Sequence, residues 1–178
     1  NKSQPQNETE LQELVSRAFE AHTKGFLTEA RGRYLQLLDY FPEVPVLHYN
    51  LGLICYEEAE YKKAMDSFTL AARFNPHDLD IIFNLALCQK KTGDLEGALD
   101  TFKRVLEEDL EAVDTLYNLA GCYRELHRYA EAIETYLRLL QVDPDHPSAN
   151  NNLAFIYHLT GDKKRALSHY ARVLEINP

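Results

Sequence analysis

The sequence predicts an all-α protein, a solenoid of about ten helices packed as antiparallel pairs. Three observations support this, and each recurs every 34 residues. Alanine occupies one repeated position: Ala30, Ala64, Ala98, Ala132 and Ala166. An aromatic residue follows four positions later: Tyr34, Phe68, Phe102, Tyr136 and Tyr170. Proline closes four of the five units: Pro42, Pro76, Pro144 and Pro178. A fixed period of this length is typical of repeat architectures.

Each unit is predicted to contain two helices, because its apolar residues recur at helical spacing. The aromatic residue lies four positions after the alanine and therefore shares its helix face. Proline cannot continue a helix and ends the second one. The third unit has Leu110 in the proline position. In the first helix of most units a leucine precedes a small residue, which allows close packing of helices: Leu51-Gly52, Leu85-Ala86, Leu119-Ala120 and Leu153-Ala154.

The turn between the two helices of a unit also has a recognisable pattern. Gly25, Gly93 and Gly161 are 68 residues apart, twice the repeat length. Glycine at a helix end is typical of a backbone with positive φ. Asp94 and Asp162 follow two of these glycines and are predicted to be N-caps of the second helix.

The pattern resembles the tetratricopeptide repeat family from Leu11 to Pro178. The fourth unit carries the most motif residues: Leu116, Tyr117, Asn118, Leu119, Ala120, Tyr123, Tyr129, Ala132, Tyr136 and Pro144. All five units depart from the family at one position early in the first helix. A large aromatic residue is usual there, and this sequence has Leu14, His48, Ile82, Leu116 and Asn150. The resemblance implies a right-handed superhelix.

The repeats set the predicted boundaries. Residues 1–10 are expected to form a flexible tail, with Thr9 and Gln12 as a capping box that opens the first helix. Five repeats follow without a break, so one continuous core is expected: 11–44, 45–78, 79–112, 113–146 and 147–178. We also expect the chain to be a segment of a larger protein.

Composition argues against several functions. The net charge of −9 disfavours a nucleic-acid ligand. No run approaches the ~18 apolar residues of a membrane span. The three cysteines lack a C-x-x-C pair and the histidines lack metal-site spacing, so no metal or cofactor is expected. No catalytic motif is present, which predicts a protein that is not an enzyme. The cysteine content favours a reducing, cytoplasmic location.

The family resemblance implies that the first helices line a concave groove for a protein or peptide partner. The partner-binding residues predicted on this basis are Tyr49, Asn50, Leu53, Phe83, Asn84, Leu87, Tyr117, Asn118, Arg124, Asn152 and Phe155. Four asparagines in this set share one repeat position and resemble the asparagine ladder of O-linked N-acetylglucosamine transferase. Such a ladder suits the backbone of an extended peptide. Alternatively, asparagine is only the family's usual residue there.

Three functions remain open on the sequence alone. The first is a protein-interaction scaffold. The second is a substrate-recruiting arm of a larger enzyme, such as a glycosyltransferase or methyltransferase. The third is self-association through the last helix, which carries apolar residues on more than one face. The groove positions at which chaperone adaptors hold a carboxylate lack the required lysine and arginine, so an acidic chaperone tail is not the expected ligand.

Overall fold

In the computed structural model, which describes residues 8–177, the chain folds into ten α-helices in the predicted order. The helices are α1 Glu8–Thr23, α2 Leu27–Tyr40, α3 Pro45–Glu57, α4 Tyr61–Phe74, α5 Leu79–Lys91, α6 Leu95–Glu108, α7 Val113–Glu125, α8 Tyr129–Val142, α9 Pro147–Leu159 and α10 Lys163–Ile176. The prediction of ten helices is confirmed. Pro42, Pro76 and Pro144 each stand two residues after the end of a second helix, as their missing N–H predicts.

The N-terminal boundary is only partly as expected. Helix α1 already contains Thr9, so the capping box at Thr9 and Gln12 is wrong. Residues 8–10 are helical rather than part of a tail. The remainder of the predicted tail, residues 1–7, lies outside the described part of the chain.

The described residues divide into two compact units, residues 8–92 and 93–177, which we call the N-terminal and C-terminal units. We expected one continuous core without a break. The division falls at Gly93, in the turn within the third repeat. Each repeat of such an array packs only on its neighbours, so a division of this kind follows from the architecture.

Small residues and aromatic rings pack against each other in the helix pairs, as the repeat pattern predicts. All four aromatic residues at the repeated position from Tyr34 to Tyr136 are 0% exposed. A Cβ atom on Gly52 would lie 2.7 Å from the Phe68 ring, so only glycine fits there without movement. Close approach of α3 and α4 therefore depends on this glycine.

The N-caps Asp94 and Asp162 are confirmed. The Asp94 Oδ1 accepts a hydrogen bond from the Gly97 backbone N–H at 3.0 Å. The Asp162 Oδ1 accepts one from the Arg165 backbone N–H at 3.0 Å. Each satisfies an N–H group that the first turn of the helix leaves unpaired.

The turn position has positive φ in all five repeats. Glycine occupies it three times, as predicted, with φ of 78° at Gly25 and 87° at Gly93 and Gly161. Ala59 and His127 occupy it in the second and fourth repeats, with φ of 58° and 59°. A side chain in this left-handed region is strained.

Replacing Ala59 with glycine is therefore expected to stabilise the protein by about 0.5–1 kcal/mol. Glycine relieves the backbone strain, and part of this gain is offset because glycine also gives the unfolded chain more conformational freedom. Urea unfolding followed by circular dichroism measures the difference. The same replacement at Ala72, a partly exposed residue within α4, should instead destabilise by about 1 kcal/mol. Equal effects of the two substitutions would show that Ala59 carries no strain.

Candidate functional site

The predicted partner-binding residues all lie on first helices of the repeats. Those of the N-terminal unit are on α3 and α5, and those of the C-terminal unit are on α7 and α9. None of the eleven is buried: ten are partly exposed and Phe155 is 44% exposed. Access to a partner is therefore possible at every predicted position.

In the N-terminal unit, Tyr49 and Asn84 connect consecutive repeats. The Asn84 Nδ2 donates to the Tyr49 hydroxyl at 3.3 Å and to the Asp80 backbone carbonyl at 2.8 Å. The Tyr49 ring packs on Phe68 with centroids 5.7 Å apart. Burial, with Asp80 and Asp78 nearby, raises the pKa of the Tyr49 hydroxyl, which therefore stays protonated and can donate.

A cleft of about 230 Å³ adjoins this pair. Its lining residues come from α3, α5 and the loop before α5: Pro45, Val46, Tyr49, Asn75, Asp78, Asp80 and Ile81. The Asp78 carboxylate is occupied as the N-cap of α5, accepting from the backbone N–H groups of Asp80 and Ile81. Val46 is 51% exposed. The cleft thus offers an apolar side chain, a tyrosine hydroxyl and the exposed carboxylate of Asp80.

Sequence analysis missed Val46 and this cleft. Apart from Tyr49, the lining residues stand at positions outside the repeated rows that we compared, and they come from two repeats and a loop. One signal was present: an acidic residue, Asp80 or Asp114, stands where chaperone adaptors have a cation.

In the C-terminal unit, Asn152 is the centre of a hydrogen-bond network. Its Nδ2 donates to the Tyr117 hydroxyl at 3.3 Å and to the Tyr136 hydroxyl at 3.1 Å. Its Oδ1 accepts from the Arg124 guanidinium at 2.7 Å. Three predicted site residues, Tyr117, Arg124 and Asn152, are therefore brought together.

Burial gives this network a structural role. Tyr136 is 0% exposed, and burial raises the pKa of its hydroxyl to about 12. A buried hydroxyl needs a hydrogen-bond partner, and Asn152 is that partner. Tyr117 stacks on the His146 ring with centroids 5.3 Å apart. The carboxamide of Asn152 is committed to internal bonds, unlike that of Asn84, whose Oδ1 accepts no described hydrogen bond.

A second cleft in the C-terminal unit, of about 400 Å³, is lined by residues of α6, α7, α8 and Leu110, and none of the predicted partner-binding residues lines it. Leu106, Leu119, Tyr123 and Thr135 form its buried floor. The Arg128 guanidinium lies 4.9 Å from the centroid of the Tyr123 ring. Leu110, at its edge, is 65% exposed. The unusual leucine in the proline position was the only sequence signal for this feature.

The thiols are unsuited to nucleophilic chemistry. Cys55, Cys88 and Cys122 are free and buried. Burial raises the pKa of the Cys55 thiol and raises that of Cys88 to about 12, so the thiolate is scarce at neutral pH. Among residues 8–177, no three His, Cys, Asp or Glu side chains are grouped as metal ligands would be.

Comparison with known families matches two tetratricopeptide repeat models, over residues 20–78 and 111–178. The chain belongs to the tetratricopeptide repeat family. A third model, of anaphase-promoting complex, cyclosome, subunit 3, matches residues 57–139. A search of curated proteins gives no significant match. The proposed likeness of the asparagine row to O-linked N-acetylglucosamine transferase stays a prediction.

Solved tetratricopeptide repeat structures share the fold. MamA from Desulfovibrio magneticus RS-1 (residues 41 to the end) is 18% identical, with a TM-score of 0.88 and 93% of each chain covered. YrrB, described as a TPR protein with an unusual peptide-binding site, is 21% identical, with a TM-score of 0.80 over 93% of this chain and 85% of YrrB. These identities support the fold alone.

No helix within residues 8–177 combines the length and apolar character that crossing a membrane requires.

Proposed function

We propose that this tetratricopeptide repeat chain is a protein-interaction scaffold that binds a peptide segment of a partner and catalyses no reaction itself. The observation that carries the proposal is the cleft beside Tyr49 and Asn84 in the N-terminal unit. A peptide-binding site in YrrB, a protein of the same fold, supports this proposal. A cytoplasmic location, where buried thiols stay reduced, fits the same proposal.

The cleft favours a ligand that is extended and not acidic. The exposed face of Val46 suits a small apolar side chain of the ligand. The Asp80 carboxylate, which is exposed, favours a nearby lysine or arginine. The Asn84 Oδ1 can accept from a peptide N–H, and the Tyr49 hydroxyl can bond a peptide carbonyl.

The four asparagines are then expected to differ in function. Asn84 contributes to ligand binding, whereas Asn152 holds the Tyr117 and Tyr136 hydroxyls within the fold. Asn50 and Asn118 share the repeat position and are partly exposed, so they are further candidates for ligand contact. A uniform ladder of four peptide-binding carboxamides is not part of the proposal.

Replacing Asn84 with alanine should weaken peptide binding about two- to tenfold, the effect of one lost hydrogen bond of about 0.5–1.5 kcal/mol. A peptide array of varied charge and apolar content first selects a ligand, and calorimetry then measures its affinity for each variant. Asp80→Asn should weaken binding of basic peptides selectively.

Gln12→Ala, which removes an exposed carboxamide from α1, is the matched control and should leave affinity unchanged. If Asn84→Ala and Gln12→Ala bind the selected peptide equally well, the ligand does not contact the Asn84 carboxamide. If Asp80→Asn, at a residue that lines the cleft, also leaves the affinity unchanged, the ligand does not use this cleft.

A further inference from the structure

The first helix of the array has a polar outer face. In the other four first helices, two repeated positions are buried, 0–3% exposed: Leu47 and Ile54, Ile81 and Cys88, Thr115 and Cys122, Ala149 and Ile156. Helix α1 has Glu13 and Glu20 at these positions, and both are exposed. They pair with Arg17 and Lys24 one turn later. Such a charged face is how repeat arrays end in solvent.

The last helix, α10, has no such polar face. Leu167 and Leu174 are each 69% exposed, whereas Leu99 and Leu106, at the same two repeat positions in α6, are 1% and 5% exposed. Tyr170 is likewise only half-buried, although the four equivalent aromatic residues are 0% exposed. These α10 positions carry the apolar residues that are buried in α6. In α10, no described helix packs against them.

The exposed apolar residues of α10 form a stripe. Leu167, Ala171 and Leu174 are spaced i, i+4 and i+7 and therefore lie along one side of the helix. Ala171 is the small central residue, flanked by two leucines about two turns apart. This arrangement suits close crossing by another helix at Ala171.

The charged residues in the first and last turns of α10 have the signs that the helix dipole disfavours at those ends. Its first turn carries Lys163, Lys164 and Arg165 and no acidic residue, although the N-terminal end of a helix carries partial positive charge. Glu175 lies in the last turn, where its exposed carboxylate accepts a hydrogen bond from Arg172 of the same helix at 2.8 Å. The amino groups of both lysines form no described ion pair. A second helix running antiparallel would bring its negative C-terminal end to these lysines.

From the stripe and the charge arrangement, we propose that α10 is a self-association surface, on which α10 of a second copy packs antiparallel about a two-fold axis at Ala171. The two-fold operation brings Leu167 within one residue of Leu174 of the second copy, and places Lys163 and Lys164 beside the carboxyl end of its α10, just beyond Glu175. Stacking α10 onto α1 of another copy is disfavoured because Glu13 and Glu20 offer no apolar surface. The surface is separate from the peptide cleft and does not depend on it.

Sedimentation velocity of the full chain over a concentration series tests the proposal. The chain should dimerise reversibly, and Leu174→Glu should raise the dimer dissociation constant at least tenfold. Leu137→Glu is the matched control, because Leu137 is an exposed leucine on α8 outside the stripe. Circular dichroism checks that both variants keep their helices.

A cysteine at the two-fold axis tests the orientation. Ala171→Cys should form a disulfide-linked dimer under mild oxidation, whereas Ala130→Cys, on the exposed side of α8, should stay monomeric. The native thiols are buried and should not interfere. A chain that stays monomeric at high concentration, equal effects of Leu174→Glu and Leu137→Glu, or equal cross-linking of the two cysteine variants would each overturn the proposal.

Discussion

Replacing Ala132 with leucine is expected to destabilise the C-terminal unit by about 1–3 kcal/mol. Ala132 is 0% exposed and lies on α8 at the repeated position where the helices pack closely. Three added carbon atoms cannot be accommodated without shifting neighbouring side chains, and overpacking of this kind costs free energy. Urea unfolding, followed by circular dichroism, measures the change.

Ala130 supplies the matched control, because it lies on the same helix and is exposed. Ala130→Leu adds the same atoms in solvent and should change stability by less than about 0.5 kcal/mol. Hydrogen exchange should locate the loss of protection in Ala132→Leu mainly within residues 93–177, because repeats interact with their neighbours. If the two leucine variants unfold at the same urea concentration, Ala132 does not lie at a close helix contact.

The helices could be predicted from the sequence because their signals are local. Proline, the turn glycines and the caps Asp94 and Asp162 act within one or two turns of helix, so a 34-residue period was enough to place them. The positive φ at Ala59 and His127 was missed because we identified the turn by glycine. Counting 34 residues from Gly25 and Gly93 would have found both.

The site was harder to predict because it depends on contacts between repeats. The sequence placed Asn84 and Asn152 on one row, but a row does not show which atoms bond. Tyr49 and Tyr117 stand 35 residues before these asparagines, a spacing that would have indicated the observed pairs. That Asn152 also reaches the buried Tyr136 hydroxyl depends on side-chain conformation, which no repeat pattern specifies.

Replacing Asn152 with alanine is expected to lower the free energy of unfolding, whereas the main effect of Asn84→Ala should be on peptide binding. Asn152→Ala leaves the buried Tyr136 hydroxyl without its partner and removes the acceptor of Arg124. An unsatisfied buried polar group costs about 1–3 kcal/mol. Asn84→Ala should cost less, because its partner Tyr49 is partly exposed and can bond water. Urea unfolding of the two variants measures this contrast.

A double-mutant cycle with Tyr136→Phe isolates the buried hydrogen bond. In the Tyr136→Phe background, Asn152→Ala no longer leaves a buried hydroxyl without a hydrogen-bond partner. The double variant should therefore be about 1 kcal/mol more stable than the sum of the two single effects predicts. Tyr34→Phe is the control, because the buried Tyr34 hydroxyl has no described partner and its removal should be neutral or stabilising. Strictly additive effects of Asn152→Ala and Tyr136→Phe would show that Asn152 does not satisfy this hydroxyl.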